Sequence, residues 1–320
     1  MNESRKPLIL FTRPLEPNQR ERILSVAPQA GLVEEKDLLA DDTLIQRIEI
    51  CYPRLPDELW DKATSLRWLQ SNWTGVEALL AVPAVLRHPA VITNVHVQPQ
   101  SIAEHLWGMT LSLTRNLNAS RRLQENGVWD NKTATSGLST LADRWLCIAG
   151  FGAIGARCAT VGRALGMRII GISRNGRPHP LADEIVGPEK RIQAFSRARV
   201  IMMLLPDTRE TRGFVGTREL DAMDGAFLLN AGRGSAIDTD ALMAALKDGR
   251  VRAAGLDVTD PEPLPAGHPL WSMPNVFITP HYSGMHPGYD EEAFEVFFAN
   301  LQRWVRGQPL QGIVDRTLGY

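Results

Sequence analysis

Leu146-Cys-Ile-Ala-Gly-Phe-Gly-Ala-Ile-Gly-Ala-Arg157 decides the fold. An apolar run of strand length empties into Gly150-Phe-Gly152-Ala153-Ile154-Gly155, and the residues that follow carry apolar side chains at the spacing of an amphipathic helix. The order is strand, tight turn, helix. Gly150 suits the turn, Gly152 leaves the backbone open to close approach, and Gly155 lets the helix sit near the strand. A helix N-terminus placed there offers backbone N–H groups to an anion, so the stretch reads as a seat for the pyrophosphate of a dinucleotide. The glycine pattern alone is a weak signal; the strand before it and the helix after it give it weight.

Working outward, a chain of 320 residues exceeds the usual single core, so two domains are expected. The net charge is −1, and basic residues gather in no more than isolated pairs such as Arg121-Arg122. Neither nucleic acid nor an acidic membrane is an expected partner. Cys51, Cys147 and Cys158 have no metal-ligand spacing, and an odd count argues against a disulfide framework. No metal is expected, and a reducing cytoplasm fits this usage. Met1–Lys6 is charged rather than apolar, and no apolar run approaches the length of a membrane span. A soluble, unprocessed chain is the expectation.

The first hundred residues read as a small α/β unit. Strands are expected at Leu8–Phe11, Ile48–Tyr52, Leu66–Gln70 and Val91–Val95, with a helix around Arg20–Val26. Ser71-Asn-Trp73-Thr74-Gly75-Val76-Glu77 is a polar turn before a short helix over Glu77–Ala81. It is either a plain loop or a set of backbone N–H groups suited to a carboxylate. One long helix is expected from Ser101 to Arg122, then loop from Gly127 to Leu141. Beyond the glycine stretch, strands at Arg168–Ile172, Val200–Leu205, Ala226–Asn230, Ala253–Val258 and Val276–Thr279 alternate with helical segments. Such alternation implies an α/β fold with a doubly wound parallel sheet. An amphipathic helix over Glu291–Arg306 is expected to return to the first unit.

Ligands of open α/β sheets bind outside the carboxyl ends of the strands, so the residues following each strand carry the chemistry. Ala226–Asn230 is followed by Ala231-Gly232-Arg233-Gly234, Ala253–Val258 by Thr259-Asp-Pro-Glu262-Pro263, and Val276–Pro280 by His281. Singly, each charged residue has an ordinary structural reading. Jointly, a cation, an acid and an imidazole beside a dinucleotide seat suit hydride transfer to a carbonyl, which needs a proton donor and a carboxylate anchor.

Gly150–Gly155, Asn230-Ala-Gly-Arg-Gly234, Gly255-Leu-Asp-Val258 with Pro261-Glu-Pro-Leu-Pro265, and Thr279-Pro-His281 occur in that order. With Ser101-Ile-Ala-Glu-His105 and the ending Val314-Asp315 through Gly319-Tyr320, they resemble the D-isomer-specific 2-hydroxyacid dehydrogenase family, in its glyoxylate/hydroxypyruvate reductase-like branch. The resemblance covers essentially the whole chain. It implies a Rossmann dinucleotide-binding domain over 99–286 and a smaller flavodoxin-like α/β substrate domain from 1–98 and 287–320, with the active site between them. It also implies a nicotinamide-dependent enzyme that reduces a 2-oxo acid to the D-2-hydroxy acid. By the same resemblance Arg233 binds the substrate carboxylate and polarises the carbonyl, and His281 is the general acid/base. Glu262 hydrogen-bonds His281, fixes its tautomer and favours the imidazolium. On the cofactor side stand Gly150, Gly152, Ala153, Ile154, Gly155, Ser173, Arg174, Pro206, Thr211, Ala231, Gly232, Arg233 again, Asp257, at the nicotinamide carboxamide, His281 again, and Gly284. Trp73, Thr74, Gly75 and Val76 stand on the substrate side, and a homodimer through the Ser101–Arg122 region is implied.

Cofactor choice rests on the end of the next strand, Met167-Arg-Ile-Ile-Gly-Ile-Ser173-Arg174. An NAD-specific turn places Asp or Glu about twenty residues past the glycines, to accept from the ribose 2′-OH. Ser173 holds that place here, followed by Arg174 and Arg177. A 2′-phosphate is repelled by an acid and held by a guanidinium, so NADP(H) is the expected cofactor, with NAD(H) the other candidate.

Some positions depart from the family pattern. The loop after the histidine runs Tyr282-Ser-Gly-Met-His286-Pro, and Trp73 replaces a smaller residue; Trp129 and Trp271 are further candidates for bulk near the site. His286 lacks a partner at ligand spacing and reads as a surface histidine. The rival reading is a non-catalytic NAD(P)-sensing binding protein on the same scaffold. A third, a formate-oxidising relative, is disfavoured because such enzymes pair the histidine with an amide where Glu262 stands.

Overall fold

A parallel strand buried on both faces reads as a short apolar run, and the computed structural model turns most such runs here into strands. It describes residues 7–317 and Gly319. The charged lead-in Met1–Lys6, and Leu318 and Tyr320 of the closing motif, lie outside the described residues. The chain divides into two units, one built from the described residues up to Val97 and from Pro287 onward, the other from Gln98–His286.

In the first unit β1 (Leu8–Phe11), β2 (Gly31–Glu34), β3 (Ile48–Tyr52), β4 (Trp68–Gln70) and β5 (Val91–Thr93) form a parallel sheet in the order β2-β1-β3-β4-β5. This is the flavodoxin-like order. On one face Leu10, Cys51 and Leu69 pack with Trp60. On the other Ile9, Phe11, Tyr52 and Trp68 pack against Phe294, Phe297 and Leu301 of the C-terminal helix Tyr289–Val305. That helix is the expected tail element, and Phe297 stacks on Trp68 with ring centroids 5.5 Å apart. Strand β2 was not expected. It is an edge strand of four residues with only Val33 buried, so it lacks a continuous apolar run.

In the second unit β6 (Trp145–Ala149), β7 (Arg168–Ile172), β8 (Glu184–Val186), β9 (Ala198–Met203), β10 (Ala226–Asn230), β11 (Val251–Leu256) and β12 (Val276–Ile278) form a sheet in the order β12-β11-β10-β9-β6-β7-β8. Every pairing is parallel. The sequence of strands reverses direction between β6 and β9, which is the Rossmann arrangement, and the crevice of such sheets opens at that point. Helix Pro99–Thr114 lays Ile102, Leu106, Trp107 and Met109 on one face, beside Leu146, Ile148 and Val200. Burial of side chains this size stabilises by about 1.5–3 kcal/mol each.

Three expectations are corrected. The single helix over Ser101–Arg122 is two helices, Pro99–Thr114 and Leu117–Glu125, divided at Asn116. Asn116 is left-handed (φ 55°), a state asparagine tolerates, and its amide donates to the carbonyls of Thr133, Ala134 and Ser136. Those carbonyls lie in and just after a helical turn, Asn131–Thr135, inside the segment expected to be loop; Asp130 caps it by accepting from the Thr133 amide. Strands β9 and β11 begin two residues earlier than read, because Arg199 and Arg252 occupy strand positions that look like loop.

Candidate active site

The carboxyl ends of the second sheet are held level by hydrogen bonds that extend the ladder past the strands. Gly150 donates to Ile172, Leu204 to Ala149, Ala231 to Met203, Asp257 to Asn230 and Thr279 to Leu256, at 2.7–3.2 Å. The glycine turn, the arginine turn, the glutamate loop and the histidine turn therefore emerge along one edge.

The glycines divide their labour. Gly150 has φ +96°, and a Cβ there would lie 2.5 Å from the Leu204 carbonyl oxygen. At Gly155 a Cβ would meet the Gly150 carbonyl at 3.0 Å and Ile148 at 3.1 Å, so helix Ala153–Ala164 lies tight on β6. At Gly152 a Cβ would meet nothing within 4 Å. Open space at the residue that starts a twelve-residue helix, whose first N–H groups have no partner within the helix, fits the phosphates of a dinucleotide. At the end of β7, Ser173 is half-buried and Arg174 exposed, with no carboxylate at either position. The Glu210 carboxyl is held below its ordinary range first by hydrogen bonds from its own backbone and from Thr208, then by the charges of Arg174 and Arg209. Arg174 thus faces the loop after β9, where the Thr211 hydroxyl donates to the Pro206 carbonyl at 2.5 Å and accepts from the Thr208 amide at 2.9 Å.

Asn230, at the tip of β10, shapes the arginine turn. Its buried side chain accepts from the Gly232 amide and donates to the Arg233 carbonyl, both at 3.0 Å. The half-buried Arg233 guanidinium donates to the Gly232 carbonyl at 2.7 Å. A Cβ on Gly234 would lie 2.0 Å from the Thr259 carbonyl oxygen, so the turn of Arg233 and the loop carrying Glu262 touch backbone to backbone. Glu262 reaches across 2.5 Å to Nδ1 of His281, and both side chains stay part-exposed, at 40% and 47%. A carboxylate only accepts, so Nδ1 carries the proton of that bond and Nε2 is the nitrogen left to exchange a proton with a ligand. His281 is left-handed (φ 51°), and its amide donates to the carbonyls of Asp257 and Thr279.

Asp257, read from the resemblance as a cofactor contact, has a carboxylate with no accessible surface. One oxygen accepts from the Thr279 hydroxyl at 2.6 Å and the Tyr282 amide at 3.1 Å; the other accepts from the Ser283 amide at 3.1 Å. It braces the loop that carries His281. The carbonyl of Gly284 accepts from the Ser101 hydroxyl. In the first unit the Trp73 amide donates to the Ser71 hydroxyl, the Thr74 hydroxyl donates to the Val95 carbonyl, and Asn94 donates to the Thr74 carbonyl. Val76 is buried, and Trp73 is half-exposed with its ring 5.7 Å from that of Tyr289, whose hydroxyl donates to Asn72. Helix Glu77–Leu80 is a single turn. Trp129 is fully exposed, in the connection that precedes the segment tied to β9 and β11 by the Arg199–Ser139 and Arg252–Gly137 hydrogen bonds. Trp271 donates to Pro265, in the loop that follows Glu262. Asn230, Thr279 and His105 were missed as site residues; a polar residue buried at a strand tip was the available signal for the first two.

The family model described as D-isomer specific 2-hydroxyacid dehydrogenase, NAD binding domain, matches residues 107–283. The chain belongs to that family. A solved family protein from Aeromonas salmonicida is 34% identical, with TM-score 0.84 over 98% of this chain and all of that one. A glyoxylate/hydroxypyruvate reductase A of Salmonella newport is 36% identical over 175 residues, 54% of this chain and 55% of the reductase, so this match spans about half of each. An NADPH-dependent glyoxylate/hydroxypyruvate reductase of Sinorhizobium meliloti, solved with NADP and sulfate, shares the fold at TM-score 0.80 and 24% identity over 98% of this chain and all of that one. Among the described residues no helix is long and apolar enough to cross a membrane.

Proposed function

We propose that this dehydrogenase reduces a 2-oxo acid to the D-2-hydroxy acid with NADPH as the preferred electron source. The observation that carries the reading is the 2.5 Å contact between His281 Nδ1 and Glu262, on the sheet edge that also holds Arg233 and the glycine turn. A bound nicotinamide supplies the hydride to the carbonyl carbon. Arg233 binds the substrate carboxylate and draws charge onto the carbonyl oxygen, a task suited to a planar, permanently charged fork. His281 gives the proton on Nε2 to that oxygen, and Glu262 keeps Nδ1 protonated so that the ring cannot turn its other nitrogen to the substrate. The Trp73–Val76 loop is proposed to meet the substrate carboxylate through its backbone amides, with the Trp73 ring either capping a small acid or stacking on an aromatic one.

Gly150, Gly152, Ala153, Ile154 and Gly155 are proposed to hold the pyrophosphate, and Ser173 and Arg174 the 2′-phosphate. Pro206, Thr211, Ala231, Gly232 and Gly284 line the remainder of the dinucleotide site, with Asp257 acting behind them. The absence of an acid at Ser173 supports NADP(H), as do the cofactors named with the Sinorhizobium relative. A homodimer is proposed through the helices flanking Asn116, where Leu111 and Leu117 are exposed. The test is a spectrophotometric screen of glyoxylate, hydroxypyruvate and larger 2-oxo acids with NADPH and with NADH. Turnover of at least one acid, faster with NADPH, is expected. NADPH binding without turnover of any would replace this reading by a cofactor-sensing protein.

A further inference from the structure

His105 lies on helix Pro99–Thr114, far in sequence from the reacting groups, yet it touches both neighbours of the His281 turn. Its Nε2 is 2.9 Å from the Thr279 hydroxyl, and its ring meets that of Tyr282 edge-on, with centroids 5.0 Å apart and planes at 83°. The hydroxyl of Thr279 has one proton, and Asp257, an acceptor when ionised, takes it at 2.6 Å. Thr279 must then accept from His105, which fixes the His105 proton on Nε2. The result is a one-way chain from His105 through Thr279 to Asp257, whose carboxylate also takes the amides of Tyr282 and Ser283. All three residues are shielded: Thr279 and Asp257 are buried, and the side chain of His105 is 15% exposed.

Helical spacing extends the same contact. Ser101, one turn before His105, donates to the Gly284 carbonyl, and a Cβ on Gly284 would lie 3.1 Å from the side chain of Gln98. One stripe of the helix, at positions 98, 101 and 105, therefore grips the chain from Thr279 to Gly284 on both sides of His281. A left-handed histidine is a conformation that persists only where its surroundings impose it. We propose that His105 and Thr279 are positioning residues for His281, holding its ring where Nε2 can meet the substrate oxygen. The proposal rests on the reading of His281 as proton donor.

The test compares Thr279→Val and Thr279→Ser, with His105→Leu and His105→Gln, in the full chain with NADPH and the best 2-oxo acid of the screen. Thr279→Val and His105→Leu are expected to lower kcat about tenfold or more, with KM and the Kd for NADPH within about twofold. Thr279→Ser and His105→Gln restore most of kcat because each keeps a hydrogen-bonding group. In the cofactor-free protein, the imidazole proton NMR signals of His281 shift in the first pair and not in the second. Lost thermal stability in all four variants without that split in kcat and in the NMR signals would show a merely structural role. Unchanged kcat and unshifted signals in Thr279→Val overturn the proposal. If the wild-type chain reduces no 2-oxo acid, the function fails and the His281 signals alone decide the positioning claim.

Discussion

Two neighbouring glycines should fail in opposite ways. In Gly150→Ala the new methyl would lie 2.5 Å from the Leu204 carbonyl, on a residue with φ +96°. Backbone strain of that kind costs on the order of 1–3 kcal/mol, and the contact with backbone oxygen adds to it because neither β6 nor the β9 tip can move without breaking the ladder. A loss of about 2 kcal/mol lowers Tm by roughly 4–8 °C for a unit of this size. In Gly152→Ala the methyl meets nothing within 4 Å, so stability should hold within about 0.5 kcal/mol. The same methyl stands where a pyrophosphate would come against the helix N-terminus. Pushing the anion away from those N–H groups should weaken NADPH at least about tenfold, roughly 1.4 kcal/mol. Thermal denaturation and a titration of NADPH fluorescence read the two quantities separately. Gly152→Ala binding NADPH as the wild type does, or losing as much stability as Gly150→Ala, would refute the placement of the phosphates on this turn.

The remaining expectations follow from the same edge. His281→Ala should lose at least about a hundredfold in kcat while the Kd for NADPH stays within a few-fold, measured by steady-state kinetics and titration; near-wild-type kcat removes His281 as the acid. Arg174→Ala should lower the ratio of kcat/KM with NADPH to that with NADH by about tenfold, since a charge-assisted contact to the 2′-phosphate is lost; an unchanged ratio places that phosphate elsewhere. Burial holds His105 below the ordinary imidazole range, opposed by the charge of Asp257, the carboxylate that faces it. The unfolded chain then takes up this proton at a higher pH than the folded one, so the contribution of neutral His105 is complete above about pH 6.5 and lost as pH falls through the depressed folded value. Tm should fall on acidification from about pH 7 to 5, and His105→Gln should flatten that part of the curve.

How much of this was legible depended on whether a residue's partners were near in sequence. Arg233, Glu262 and His281 each follow an apolar run, buried for the first two and part-buried in β12 for the third, and a parallel sheet brings the ends of such runs to one edge, so their common location follows from strand order. The glycine turn was legible for the same reason. Strands β2 and β8 were not: unlike β12, whose three residues are all apolar, these short edge strands carry Glu34 and Glu184 and offer no unbroken apolar run. The break at Asn116 was hidden because Leu113 and Leu117 keep the apolar spacing of a continuing helix, while the left-handed Asn116 pairs with carbonyls of the distant 133–136 segment. The cofactor role of Asp257 came from the resemblance; what no local pattern reports is its bracing role, since its protein partners are two amides and a hydroxyl 22–26 residues later. His105 and Ser101 contact Thr279 and Gly284 across 174 and 183 residues, a distance that no local pattern reports.

The division of labour that results bears on how this site could change its substrate. In the proposed mechanism the groups around His281 come from its own unit: buried Asp257 and Thr279 and the largely shielded His105 behind it, and part-exposed Glu262 beside it. None of these depends on what the substrate carries beyond its carboxylate and carbonyl. The Trp73–Val76 loop is different. Its backbone is pinned by Ser71, Val95 and Asn94, but the Trp73 ring is half-exposed and rests on Tyr289, so its bulk can be exchanged without breaking a ladder hydrogen bond. Substitutions there should cost little stability, and under the proposed function they change which 2-oxo acids are turned over, read by comparing kcat/KM across the acids of the screen. Substitutions behind His281 should lower turnover for every acid alike, because they disturb the one geometry that all of them share.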